Sequence, residues 1–488
     1  MVPVEAALSE WKRELTDLLK HDRTIKKYAC ILYLINYLHY VWTAKQPSLT
    51  YQKSPRAEAI VKKCSLLVEK YHPSWYLLNN GHLHTIMLAK LTSHPQIHYE
   101  RQMVPLSDGG VVSLDWAVPP GVAPDDVNFP DIPTVIVFHG LTGGSGDNYV
   151  CVTVEKLVRD GWRVVVMNAR GCANTPLLTP HLFCGAYTND VREVVAMLRR
   201  NHVQTAPLVS VGFSLGSNIM VKYIGEEGAA CPLTAAVSVG NPYDFMCNSR
   251  NLNHSFVHNA IYNAPLATNL NDLFFVRSNA HELFADHPEI DLASIQATSR
   301  VIDFDEQLTR RAFGYASVSD YYRDASSNQY LKFVQIPLLL LSAKDDPICI
   351  HTATPYDDVI ANDNLLLAVT DTGGHLGFFT GNNLFEVPDM WSANVVAQFC
   401  KAIVEINSAR DATKPSIVRR LFQSADQATV DTPPLANDGN LGNGNSAFVE
   451  NGAEGQVSLR RGAAALAALA VVHFAFKHRR AMHKKWWY

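Results

Sequence analysis

Three residue types that together make a hydrolytic site stand far apart in this sequence. Residues 211–220 read VGFSLGSNIM, which sets Ser214 between Gly212 and Gly216 at the spacing G-x-S-x-G. A serine hydroxyl becomes a useful nucleophile only when a base takes its proton. His375, in TDTGGHLGF, can be that base, since a neutral imidazole takes the proton and returns it to a leaving group. The stretch SAKDDPICI offers Asp345 and Asp346; Asp346, followed by Pro347, is the preferred carboxylate to orient the imidazole and stabilise its charged form. HGLTGGSGD, from His139, is a glycine-rich loop that can turn backbone N–H groups toward a developing oxyanion, with Leu141 and Leu215 as the expected donors. It lacks the lysine of a phosphate-binding G-x-x-x-x-G-K-[ST] loop. Each feature also has a plainer reading: a serine in a Gly-rich loop, a solvated acidic turn, or one structural histidine among 19.

The elements that must position these residues favour the chemical reading. Short β-branched runs alternate with amphipathic stretches between residues 97 and 406, the pattern of an α/β fold with a mostly parallel sheet. Strands are expected within 97–104 and 111–116, and at 134–138, 163–167, 208–212, 235–239, 337–342 and 365–370. Helices are expected at 149–160, 189–201, 217–226 and 390–406. Ser214 then falls where a strand turns into a helix, a backbone that small glycines permit and that aims the helix's free N–H groups at the point of attack. Asp346 and His375 each follow a late apolar strand. Their order along the chain, Ser, Asp, His, is that of α/β-hydrolase enzymes. The alternation breaks between about 241 and 335, which reads as a helical cap inserted after a central strand, above the sheet edge where such folds bind ligands. Its Phe256, Ile261, Tyr262, Leu273, Phe274, Phe275 and Phe284 are candidates to line an acyl tunnel, or else to form the cap's own core.

The chain has 488 residues, 47% hydrophobic and 18% charged, with a formal net charge of −4, which argues against nucleic acid as a partner. Its nine cysteines are scattered without C-x-x-C pairs, so neither a disulfide framework nor a zinc site is expected, and no cofactor or metal is implied. The run from Lys27 to Trp42 is apolar and aromatic but short for a bilayer span, which needs about 20 residues. It reads as an interfacial or signal-anchor helix, with a buried helix as the alternative. From residue 408 the composition turns to Asn, Gly, Asp, Ser and Ala and is expected to be disordered as far as 460. The tail 461–488 joins an Ala/Leu-rich run to Lys477, Arg479, Arg480, Lys484 and Lys485 and ends in Trp486, Trp487 and Tyr488, which suits an anionic membrane surface. The expected organisation is a helical, membrane-associating region (1–63), a hydrolase domain (64–407), a disordered linker (408–460) and a basic apolar tail (461–488).

Further motifs in order are GHLHT (81–85), SDGG (107–110), NARG (168–171), DFDEQLTRRAFGY (303–315) and GGHLGFF (373–379). With the three candidate residues, the chain between about 64 and 406 resembles the family of the animal α/β-hydrolase domain-containing proteins 1, 2 and 3, with YheT-like bacterial esterases and yeast medium-chain ethyl-ester synthase/esterases. The resemblance implies an α/β-hydrolase fold and hydrolysis of acyl esters of lipids, such as phospholipids, acylglycerols or medium-chain esters, with Ser214, Asp346 and His375 matching the triad. It also implies membrane association, single-pass or peripheral and with the endoplasmic reticulum a candidate, against a cytoplasmic alternative. Two other functions use the same fold: alcohol O-acyl transfer, and non-catalytic binding of a lipid or hormone.

Overall fold

The segments Thr134–Phe138, Leu208–Phe213, Ala235–Val239, Leu338–Ala343 and Leu365–Thr370 are largely apolar or β-branched and are buried at every position. Such runs are strands covered on both faces. The computed structural model of the chain describes residues 30–31, 33–35, 37–38, 41–42, 44–91, 93–119, 131–381 and 386–410. Numbered in chain order, its strands are β1 (Ser48–Tyr51), β2 (Glu100–Pro105), β3 (Val111–Ala117), β4 (Thr134–Phe138), β5 (Arg163–Asn168), β6 (Leu208–Phe213), β7 (Ala235–Val239), β8 (Leu338–Ala343) and β9 (Leu365–Thr370). They form one sheet in the order β1-β9-β8-β7-β6-β4-β5-β3-β2. The six central strands run parallel, while β1 at one edge and β3 and β2 at the other join antiparallel. A short pair, β10 (Phe379–Thr380) and β11 (Asp389–Met390), stands apart.

Side chains alternate across a strand. Ile136, Val165, Leu208, Leu340 and Leu367 therefore share one face, where they join Val194 and Leu198 of the helix Asn189–Asn201 and Met220, Val221 and Ile224 of the helix Leu215–Glu227 in a single core. Their neighbours Val137, Val166, Val211, Leu339 and Leu366 are equally buried and face the opposite side. That side is left to the helices Asn148–Arg159 and Trp391–Arg410, which pack on each other. This is the mostly parallel sheet between helices that the sequence led us to expect.

Residues between β7 and β8 contain no strand. They form short helices, among them Phe245–Asn253, Ala264–Asp272 and Val318–Ala325, interrupted by π-helical turns at Asn259–Asn263, Leu273–Arg277 and Asp305–Thr309. A separate apolar cluster of Leu270, Phe274, Phe284, Ile295, Phe304 and Leu308 holds this cap together.

The domain start expected at residue 64 falls inside the fold. Ser48–Tyr51 adds β1 to the sheet by pairing with β9, Ser48 opposite Val369 and Tyr51 opposite Leu366. Four residues with one strongly apolar side chain carry too little periodicity to announce a strand; the pairing comes from the open edge of β9. The described positions from Cys30 to Trp42 are helical, with Tyr33, Leu34, Ile35, Leu38 and Trp42 exposed. The buried-helix alternative thus does not hold for these side chains, although Tyr33 does meet Trp75 edge to face at 5.6 Å. Among the described residues no helix is long and apolar enough to cross a membrane, so the single-pass form of the localisation expectation has no support there. The expected linker, beyond its first residues in the last helix, and the basic tail lie outside the described residues.

Leu340 sits in the middle of β8 with no exposed surface. Leu340→Ala should lower unfolding free energy by about 2–5 kcal/mol, since the dense core can only partly close the cavity; urea denaturation followed by circular dichroism checks this.

Candidate active site

The three chemically suggestive residues follow three different parallel strands, so all leave the same edge of the sheet. Ser214 comes directly after β6, Asp346 three residues after β8, and His375 five residues after β9. His375 Nε2 lies 2.9 Å from Ser214 Oγ, and His375 Nδ1 lies 2.9 Å from Asp346 Oδ2. The Asp346 oxygens are acceptors, so Nδ1 carries the proton and Nε2 is left to accept the serine hydroxyl. Asp346 Oδ1 takes two backbone N–H donors, from Ile348 and Cys349, each at 2.8 Å. These bonds fix the carboxylate and leave Oδ2 for the imidazole.

The turn at Ser214 is strained in the way the sequence suggested. Ser214 has φ +50° and ψ −120°, outside the regions favoured by side-chain-bearing residues. Its N–H donates to Val239 O at 2.9 Å, tying the turn to β7. The two glycines are there for space. A Cβ on Gly212 would stand 2.5 Å from Ser217 Cα, and one on Gly216 would stand 2.3 Å from His139 O. No side chain fits either gap.

The loop after β4 lies against Ser214, with a Cβ built on Gly140 reaching 3.4 Å from Ser214 Cβ. Leu141 and Leu215 both line the space beside Ser214. Several bonds anchor this loop. Gly140 N–H donates to the Tyr149 hydroxyl at 2.9 Å, which itself donates to Asp147 at 2.7 Å. Ser145 N–H donates to Asn168 Oδ1 at 2.9 Å, and Ser145 Oγ donates to Asp115 at 2.5 Å. Asp115 is in turn clamped by both Arg101 Nε and Nη2 at 2.7 Å, which holds its carboxyl below the usual range against the opposing effect of burial. His139 is a structural residue: Nε2 accepts from Ala169 N–H at 3.1 Å, Nδ1 faces Gly140 O at 2.7 Å, and burial depresses its basicity so that it stays neutral.

A family model described as the alpha/beta hydrolase fold matches residues 133–382. The chain belongs to the α/β-hydrolase family. Within it, the chain is 34% identical over 333 residues to the embryogenesis-associated protein EMB8 of Picea glauca, covering 67% of this chain and 71% of that protein. It is 32% identical over 367 residues to phospholipase ABHD3 of Mus musculus, covering 74% and 85% of the two chains. A monoacylglycerol lipase of Saccharomyces cerevisiae is 32% identical over 365 residues, covering 67% and 79%. The resemblance read from the motifs, to the ABHD-like branch, is thus the relationship found.

As in an α/β-hydrolase, the space above the sheet edge is roofed by the inserted cap. A cavity of about 840 Å³ opens over Ser214 and His375. Its apolar wall includes Phe245, Leu252, Leu266, Leu270, Phe274 and Phe304. Of the seven residues expected to line it, only Leu273 and Phe274 do. Phe256 is 86% exposed, Ile261 is partly exposed, Phe284 is buried in the cap's own cluster, Phe275 packs on that cluster, and Tyr262 faces His82. Aromatic content marked the cap, but its broken helices decide which faces turn inward. Arg277 ties the cap to the loop after β4 through a bond to Thr142 O at 3.1 Å.

Two further groups lie beside these three residues, one of them, Cys349, given no role in the sequence reading. Cys349 lies close enough for its sulfur, Asp346 and His375 to gather ligand-type atoms within 4.8 Å. Burial and the Asp346 charge keep that thiol protonated, and it donates to Gly240 O at 3.2 Å; the other two donors are engaged with each other. Asp345, the acid passed over in favour of Asp346, does not reach the imidazole. It accepts from Gly374 N–H at 2.9 Å and from Thr372 Oγ1 at 2.5 Å, and burial pushes its carboxyl up to about 6.

Asp305, on the cavity wall, is also driven up to about 6 by burial, partly offset by hydroxyls of Thr309 and Tyr322. Its folded-state value lies above the ordinary 3.8. The folded protein therefore holds this proton more tightly, and the associated stability is present below about pH 4 and lost as pH rises through 6. Asp305→Asn should change relative stability by up to about 3 kcal/mol between pH 4 and pH 7, the variant gaining on the parent at the higher pH. Urea unfolding of both proteins at the two pH values measures the difference.

Proposed function

We propose that this protein is a serine hydrolase that cleaves carboxylic esters of lipids. The observation that carries the reading is the chain of contacts from Ser214 through His375 to Asp346 at the floor of an apolar cavity. In this mechanism His375 Nε2 takes the Ser214 proton as Oγ attacks the ester carbonyl. The negative charge that collects on the carbonyl oxygen is held by the backbone N–H groups of Leu141 and Leu215, the second aided by the positive end of the helix that starts at Leu215. His375 then passes the proton to the departing alcohol, leaving an acyl-enzyme. Water, deprotonated by the same imidazole, attacks the acyl carbon; the fatty acid leaves and Oγ regains its proton. Asp346 fixes the imidazole's tautomer and stabilises its charged form in both halves of the cycle.

The substrate class rests on the cavity and on the relatives. A space of about 840 Å³ with a wall that includes Phe245, Leu252, Leu266, Leu270, Phe274 and Phe304 beside polar groups such as Asn263 and Arg277 has room for an acyl chain and for a polar head group. Two of the relatives are named as a phospholipase and a monoacylglycerol lipase, both lipid esterases. Association with a membrane surface follows as part of this reading, through the exposed apolar side chains between Ile31 and Trp42.

Ser214→Ala should lower kcat on acyl esters by on the order of 10⁴–10⁶ and abolish labelling by a fluorophosphonate probe. Profiling of p-nitrophenyl esters, monoacylglycerols and phospholipids with parent and variant side by side is the test. Turnover that survives the substitution defeats the proposal. A second expectation concerns the pocket: Leu270→Trp should lower kcat/KM for long-chain esters at least about tenfold relative to short-chain ones, measured over an acyl-length series, because the ring would occupy acyl space.

A further inference from the structure

The GHLHT motif is unexplained by the triad, and the family model that matches residues 133–382 does not reach it. In the structure this motif opens the helix Gly81–Lys90, and the segment leading into it lies along the loop that carries His375.

That loop is poorly determined by its own backbone. Gly373, Gly374, Leu376 and Phe378 all have positive φ, at 156°, 58°, 64° and 40°. Two of these are side-chain-bearing residues in a region that costs each about 1–3 kcal/mol, and such conformations persist only where the surroundings enforce them. Asp345 accepts Gly374 N–H and Trp391 N–H donates to Phe378 O, each at 2.9 Å, and residues 71–85 supply the bonds around His375 and Phe379. His375 N–H donates to Thr85 Oγ1 at 2.8 Å, and the same hydroxyl donates to Gly81 O at 2.7 Å. Because its proton is committed to Gly81, the hydroxyl presents only lone pairs to His375. Phe379 N–H donates to His84 Nδ1 at 3.3 Å, and burial lowers the His84 pKa to about 3, so the acceptor stays neutral. Phe379 O accepts from Ser74 N–H at 3.0 Å and from the Tyr71 hydroxyl at 2.9 Å. The fit is close enough to exclude side chains: a Cβ on Gly374 would lie 2.2 Å from Gly81 O, and one on Gly81 would lie 2.0 Å from Asp345 O.

We infer that the segment 71–85 is a clamp for the catalytic base and that Thr85 is a positioning residue, holding the His375 backbone so that the imidazole meets Ser214 and Asp346 together. The inference deepens the serine-hydrolase reading and rests on it. Thr85 borders the cavity, but its hydroxyl is spent on His375 N–H and Gly81 O, so it acts on the reaction through the histidine backbone. Its loss leaves the His375 N–H without its acceptor and frees a strained loop, so the imidazole leaves its bonding position for much of the time. A displacement of about 1 Å at such a site can cost on the order of a hundredfold in rate.

The test uses the full-length protein and a medium-chain p-nitrophenyl ester. Thr85→Val keeps the shape and removes the hydroxyl; Thr85→Ser keeps the hydroxyl. The Val variant should lose about ten- to a hundredfold in kcat with KM within about twofold, and the rate of fluorophosphonate labelling should fall in proportion. The Ser variant should keep kcat within about threefold of the parent. If Thr85→Val does not unfold cooperatively, Thr85→Ala is compared with Thr85→Ser in the same way. A kcat unchanged in the hydroxyl-free variant, or an equal loss in the Ser variant, overturns the clamp while Ser214→Ala remains inactive. Turnover that survives Ser214→Ala instead removes the hydrolase reading, and the clamp with it.

Discussion

The backbone at Ser214 is the constraint on which the site depends. A strand must end, a helix must begin, and one side-chain-bearing residue between them must take φ +50°. That conformation is unfavourable by itself and survives because the neighbourhood leaves no alternative. β7 accepts the turn's N–H, Gly212 lets the helix fold back within 2.5 Å of where a Cβ would be, and Gly216 lets the helix press onto the end of β4. The consequence is chemical. The hydroxyl stands clear of its own backbone, where a base carried by another strand can reach it.

His375 and Asp346 are held by different means, and the difference is physical. Asp346 is fixed locally, by two backbone N–H groups of the turn that follows it. His375 sits in a loop with several left-handed residues and depends on groups almost 300 positions away in sequence, from Tyr71 to Thr85. Asp345 contributes from the other side by accepting Gly374 N–H. An imidazole that must serve two partners 2.9 Å away on either side needs such a bracket, because rotation that improves one bond breaks the other. The loop after β4 is held in a comparable way by the Arg101, Asp115, Ser145 and Asn168 network.

The cap shows how packing divides the same residue types between two tasks. Phe274 belongs to the cap's own cluster and also borders the cavity, whereas Phe284 is wholly internal and Phe256 points outward. The three π-helical turns shift the register of the cap helices, so side chains that a regular 3.6-residue period would place together are separated. That explains why the aromatic residues most visible in the sequence were poor guides to the cavity wall.

The central strands were legible in the sequence because six short, largely apolar runs, bounded by turn residues and alternating with amphipathic helices, read as buried, parallel strands. It also named Ser214, Asp346 and His375 as residues to compare, because each followed a strand and so had to emerge at a common edge. The motif resemblance to the ABHD-like branch came from the same stretches. The tertiary structure decided what local pattern cannot hold: that Ser48–Tyr51 completes the sheet, which cavity residues face inward, and that Asp345 supports the histidine loop while Asp346 touches the ring. It alone gave GHLHT a place, since a hydroxyl at residue 85 and an amide at residue 375 become partners only after the whole sheet between them has formed. Periodicity reports which side of an element is buried; it carries no information about which distant element does the burying.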